Sequence, residues 1–128
     1  MKKLLLLTIL FLSQMIFSQS DCISAIPVCG NSDISYNPSS SGTVQEATSA
    51  SCLDVEHYSV WYYFTAATTG TIEFTITPNT VPGVTHYDYD FAVYGPNINC
   101  ATWDFGNAIK CNFSGLSGPT GLSSTITG

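Results

Sequence analysis

The sequence predicts an all-β fold, an antiparallel β-sandwich of jelly-roll type. Three observations carry that prediction. Thr71–Thr77 alternates strictly, with Ile72, Phe74 and Ile76 on one face and Thr71, Glu73, Thr75 and Thr77 on the other. Such a period of two belongs to a sheet with one wet and one dry face. Short β-branched and aromatic runs recur, bounded by Gly, Pro, Asn and Ser, the punctuation of strands and turns. Beyond the N-terminal leader, no segment longer than about ten residues carries a 3.6-residue apolar stripe, so little helix is expected.

The leader comes first. Lys2 and Lys3 precede an apolar run from Leu4 to Leu12, which resumes at Met15–Phe17 and gives way to Ser18, Gln19 and Ser20. A basic start, a short apolar stretch and small residues at the cut make a secretory signal peptide. Ser13 and Gln14 interrupt the run, which is short for a membrane span. The expected organisation is a signal peptide over residues 1–20, cut near Ser18 or Ser20, and one β-sandwich module over 21–128. About 108 to 110 residues remain, enough for a single domain. A retained anchor is the alternative; after cleavage no membrane insertion is expected.

Without the leader, Lys110 is the only strong base, and the chain has no Arg. Nine acids remain: Asp21, Asp33, Glu46, Asp54, Glu56, Glu73, Asp88, Asp90 and Asp104. Nothing is present to neutralise phosphates, which excludes nucleic acid as a partner and disfavours anionic lipid. Divalent cations remain plausible company.

All five cysteines lie in the mature part, and an exported chain meets an oxidising environment, so disulfides are expected. Zinc competes poorly: there is no C-x-x-C pair and the two histidines lack ligand spacing. Cys100 and Cys111 are close in sequence and are expected to bridge, worth roughly 3 kcal/mol in the loop-entropy model. Among the others, Cys29 with Cys52 is favoured. One thiol is then left without a partner inside this sequence.

In chain order, Asp21–Gly30 reads as an extended entry segment broken by Pro27, and Asp33–Tyr36 and Thr43–Thr48 as short strands. Ser49–Tyr58 is polar and irregular. Ser59–Thr77 reads as a central hairpin, two strand-like runs joined by an Ala/Thr/Gly stretch. Trp61 and Tyr63 are expected to fill the second face of its first strand. Asp88–Tyr94 is the next strand. The tail from Gly115 offers only Leu116, Leu122 and Ile126 as sizeable apolar residues, too little for a further core strand. With so few strands, the module is expected to be incomplete and association-prone on its own, and to be rescued by roughly 40 to 70 further residues.

His86, Asp88 and Asp90 alternate, so an extended chain projects all three from one face. Two carboxylates with flanking carbonyls can begin a calcium site, with Asp54 or Glu56 as helpers. The competing reading is a solvated strand mouth. Tyr87, Tyr89 and Trp103, in turn-rich surroundings, are the candidates for stacking on a sugar ring or a protein partner. Asn112-Phe113-Ser114 matches a glycosylation sequon. There is no G-x-S-x-G nucleophile turn and no singled-out carboxylate pair, so no enzymatic activity is expected.

Several blocks together resemble a known module. These are Asp21-Cys22 with Ala25-Ile26-Pro27-Val28-Cys29, Ser59-Val60-Trp61-Tyr62-Tyr63-Phe64-Thr65, and Gly70-Thr71-Ile72-Glu73-Phe74-Thr75-Ile76. Asp88-Tyr89-Asp90-Phe91-Ala92-Val93-Tyr94-Gly95-Pro96, Cys100, Lys110-Cys111-Asn112 and Gly118-Pro119-Thr120-Gly121-Leu122 continue them. The series resembles the N-terminal β-sandwich module of large surface proteins that gliding bacteria export by type IX secretion, often with a gliding-motility-associated sorting domain. It is distantly similar to the pre-peptidase C-terminal domain of secreted hydrolases. The resemblance implies a non-catalytic extracellular module for adhesion, binding or spacing, and brings no catalytic residues. It also implies strands continuing beyond Gly128, while a sorting domain is missing from the sequence itself. The second expectation is a carbohydrate-binding accessory module of an extracellular hydrolase.

Overall fold

The computed structural model describes residues 19–47, 51–79, 81–84, 86–102 and 107–123. A single turn of 3-10 helix, Cys22–Ser24, is followed by six short strands. They are β1 (Ile26–Pro27), β2 (Tyr62–Tyr63), β3 (Phe74–Ile76), β4 (Phe91–Tyr94), β5 (Ala108–Asn112) and β6 (Thr120–Leu122). The fold is all-β, as the alternation predicts. The strands form three two-stranded sheets: β1 with β2 in parallel, and β3 with β6 and β4 with β5 antiparallel.

Strand β4 joins the pieces. Phe91 and Tyr94 stand three residues apart and so leave opposite faces of the strand. Phe91 meets Phe74 of β3 edge-on at 5.1 Å between ring centroids. Tyr94 stacks on Trp61, just ahead of β2, at 5.6 Å. Such pairs contribute about 0.5–1.5 kcal/mol each beyond the area they bury. All four residues of β4 are half-buried, so both its faces are partly covered. Ile109 bulges out of β5, where Val93 pairs with Lys110 and Tyr94 with Ala108.

Three expectations are corrected. The central hairpin does not form, because both main-chain groups of Trp61 are already engaged: its N–H donates to the Gln19 carbonyl at 3.0 Å and its carbonyl accepts from Ile26 N–H at 2.8 Å. Its first half therefore pairs with the entry segment and its second half with the tail. The connecting Ala66-Ala67-Thr68-Thr69-Gly70 offers no tight-turn dipeptide that would enforce local pairing. The tail does supply a strand, β6, which pairs Phe74 with Leu122 and Ile76 with Thr120. Pairing there needs main-chain groups and a glycine rather than large side chains: a Cβ on Gly121, at φ +148, would stand 2.2 Å from the Phe74 carbonyl oxygen. Asp33–Tyr36 and Thr43–Ala47 are irregular rather than strands.

Two disulfides tie distant parts together, Cys22 to Cys100 and Cys52 to Cys111. Cys29 is a free, exposed thiol. The expected Cys100–Cys111 and Cys29–Cys52 bridges are not the ones formed. The β4–β5 ladder sets Cys111 opposite Ala92, three residues inside β5 from its start at Ala108. Cys100 lies in the connection beyond the far end of that ladder. Each of the two is instead brought to a cysteine far upstream, Cys100 to Cys22 and Cys111 to Cys52. Interleaving bridges close both long loops at once. They matter because, among the described residues, Cys22 and Ala47 are the only buried apolar ones.

Candidate functional site

Residues 86–90 run into β4 beside the loop that leaves β5. Ser114 backbone N–H bonds Asp90, Gly118 N–H donates to the Tyr87 carbonyl at 3.0 Å, and the Ser117 hydroxyl meets His86 Nδ1. The two segments thus continue the β4–β5 alignment beyond its last ladder pair, Phe91 with Asn112. This brings two of the sequence-predicted carboxylates to one place. Asp88 is exposed and Asp90 half-buried. Asp90 Oδ1 is buried with no hydrogen-bond partner. Burial pushes the Asp90 carboxyl up from its ordinary value, the Asp88 charge adds to that, and the Ser114 N–H partly offsets it. An orphaned carboxylate oxygen beside a second acid favours a proton or a cation. Neither expected helper is committed here: Asp54 is exposed, and Glu56 is engaged elsewhere. Among the described residues no group of three or more His, Cys, Asp or Glu side chains stands ready to hold a metal ion.

The predicted contact aromatics divide. The Tyr87 hydroxyl is tied to the main chain of Val81, accepting from its N–H and donating to its carbonyl at 3.3 Å. Tyr89 is 37% exposed and available. Trp103 lies outside the described residues. A different aromatic group surrounds an apolar hollow of about 240 Å³ against the Cys22–Cys100 bridge, lined by Ala25, Trp61, Tyr62, Tyr63 and Ile98. Tyr63 is 53% exposed there, whereas the alternation of its run assigns it to a covered face. Pairing with the two-residue strand β1 covers only one edge of β2 and leaves its ring outside.

The strongest electrostatic feature escaped sequence reasoning. Glu46 is only 3% exposed, in a stretch with no apolar pattern to mark it as interior. Both its carboxylate oxygens accept from Cys22 N–H at 2.9 Å. Its own N–H donates to Glu56 Oε2 at 2.5 Å. Burial raises the Glu46 pKa to about 7; the Cys22 N–H opposes this, and the charges of Glu56 and Asp21 add to it. Nearby Asp21 behaves oppositely. Burial pushes it up, but the Thr43 hydroxyl and the Val44 and Thr43 N–H groups outweigh burial and hold it below the usual value. The close approach needs a bare backbone, since a Cβ on Gly42, at φ +84, would lie 2.1 Å from Asp21 Oδ1.

This has a pH consequence. Glu46 has a folded pKa above its unfolded 4.5, so its contribution is fully present below 4.5 and is lost as pH rises through about 7. Thermal melts should therefore show stability declining between pH 5 and pH 8, and Glu46→Gln should flatten that slope. A slope unchanged in the variant would show that Glu46 is not its source.

Comparison with protein-family models, curated proteins and solved structures gave no match. The disulfides point to an oxidising environment. Among the described residues no helix is long and apolar enough to cross a membrane.

Proposed function

We propose that this chain is a secreted, non-catalytic β-sandwich module of a bacterial cell-surface or adhesion protein, exported by type IX secretion. The observation that carries the extracellular part is the pair of interleaved disulfides, which replaces a large apolar core with covalent ties of the kind small exported domains use. The leader-like residues 1–20 and the family resemblance support the same reading. The acidic, Arg-free surface suits contact with neutral glycans or proteins rather than phosphate-bearing partners. Fractionation of a cell making the full chain tests this: the protein should appear outside the cytoplasm with both bridges formed. A reduced cytoplasmic protein would contradict it.

A second reading, a carbohydrate-binding accessory module, is favoured by one observation: Tyr62 and Tyr63 present ring surface beside an apolar hollow, an arrangement on which sugar rings stack. On a glycan array, saturable binding that falls at least about tenfold in Tyr63→Ala would select this reading, since losing one stacked ring is worth about 1.4 kcal/mol. No binding to any glycan would leave adhesion to protein.

Calcium belongs to the proposal through Asp88 and Asp90. Binding to the folded state alone raises the melting temperature by mass action. Millimolar calcium is expected to raise Tm, and Asp90→Asn to abolish the rise. An unchanged Tm would leave the two carboxylates as a solvated strand mouth.

A further inference from the structure

The most deeply enclosed residue of the described fold, Ser20, lies where the signal peptide is expected to end. Ser20 is 0% exposed and Asp21 only 7%. Gln19 is tied to the residue just ahead of β2: its carbonyl accepts the Trp61 N–H at 3.0 Å, and its side-chain Oε1 accepts the Tyr36 hydroxyl at 2.7 Å. The Ser20 carbonyl accepts from Ser59 Oγ at 3.0 Å, and its hydroxyl lies 3.4 Å from Ser40 Oγ. Together Gln19 and Ser20 extend the strap formed by the Cys22–Ser24 turn and β1, which meets residues 59–63 on both sides of that turn. The strap's later half repeats the pattern, with Ile26 and Val28 N–H groups donating to the Trp61 and Tyr63 carbonyls at 2.8 Å.

From this placement we infer that signal cleavage falls between Ser18 and Gln19, so that Gln19 is the first residue of the mature protein and its strap is the first element of the fold. The inference rests on the secreted reading above. It moves the expected module boundary from residue 21 to residue 19. Cleavage precedes folding, and the folded product needs Gln19 and Ser20. A cut after Ser20 would strip the Trp61 N–H, the Ser59 hydroxyl and the Tyr36 hydroxyl of these partners at once. It would also place a new α-ammonium group on Asp21, where little solvent reaches it. Sequence pattern alone pulls the other way, since Ser18 and Ser20 are small residues in the x-spaced arrangement of a cut after Ser20. The two cuts leave different N-terminal residues, Gln19 or Asp21, so one measurement separates them.

The test is to make the full chain, Met1–Gly128, in an exporting bacterial host and determine the mass of the N-terminal peptide of the exported product. The expected peptide begins at Gln19, with its amino group free or cyclised onto its own side-chain amide with loss of ammonia. A product beginning at Asp21, or at any other residue, overturns the assignment while leaving secretion intact. A chain that stays uncleaved in the cell overturns the secreted reading and this assignment with it. Hydrogen exchange on the exported product supplies a second reading. The Trp61 amide should exchange more than about tenfold slower than that of Thr68, which lies in the exposed connection. Equal rates would show that the strap does not hold Trp61.

Discussion

Replacing Cys52 and Cys111 together by serine is expected to destabilise the folded protein by about 4 kcal/mol, and replacing Cys22 with Cys100 by about the same. The bridges span 59 and 78 residues, and closing loops of that length removes this much chain entropy from the unfolded state. Ordinary domains are stable by only about 5–15 kcal/mol. With so little buried apolar surface, the loss of either bridge should leave the chain largely unfolded at 37 °C. Far-UV circular dichroism against denaturant gives the comparison, with Cys29→Ser as the control that should change little. A variant lacking Cys52 and Cys111 that melts like the parent would show that the remaining contacts hold the fold without it.

Gly121→Ala should cost about 2–6 kcal/mol. The added Cβ would stand 2.2 Å from the Phe74 carbonyl oxygen and 2.9 Å from Thr75 Cα, both of them backbone that cannot swing aside. Overpacking costs about 1–3 kcal/mol, and a non-glycine residue held at this positive φ costs about 1–3 kcal/mol more. The expected signature is local: the β3–β6 ladder loses hydrogen-exchange protection, and the Phe74–Phe91 ring contact loosens with it. Gly115→Ala, where the new methyl meets open space, should be close to neutral. Equal behaviour of the two variants would show that β6 does not lie against β3.

The class of fold was legible because alternation is a property of single segments. Phe74 and Ile76 do share a face, and the strand expected over Asp88–Tyr94 forms over its second half, Phe91–Tyr94. Pairing was not legible, because alternation says which way side chains point and not which strand lies alongside. Trp61 finds its partners about 40 residues upstream, in Gln19 and Ile26, and Phe74 finds its own in Leu122. The same blindness misdirected the cysteines: proximity in sequence favours Cys100 with Cys111, whereas the fold brings each to a cysteine far upstream, Cys22 and Cys52. In the candidate site, Asp88 and Asp90 were found by their two-residue spacing, a local signal. Glu46 was not, since its burial depends on Cys22 and Glu56, which adjoin it only in the folded chain. The exposed ring of Tyr63 was missed for a related reason, because a face is covered only if another element arrives to cover it.

The central claim is that interleaved covalent ties hold a small β module whose described residues bury little apolar surface. Peptide mapping of the purified protein without reduction tests it most directly, with thiols blocked before digestion. The expected map shows Cys22 linked to Cys100, Cys52 linked to Cys111, and Cys29 recovered as a blocked free thiol. A peptide linking Cys100 to Cys111, or recovery of all five cysteines as free thiols, would contradict it.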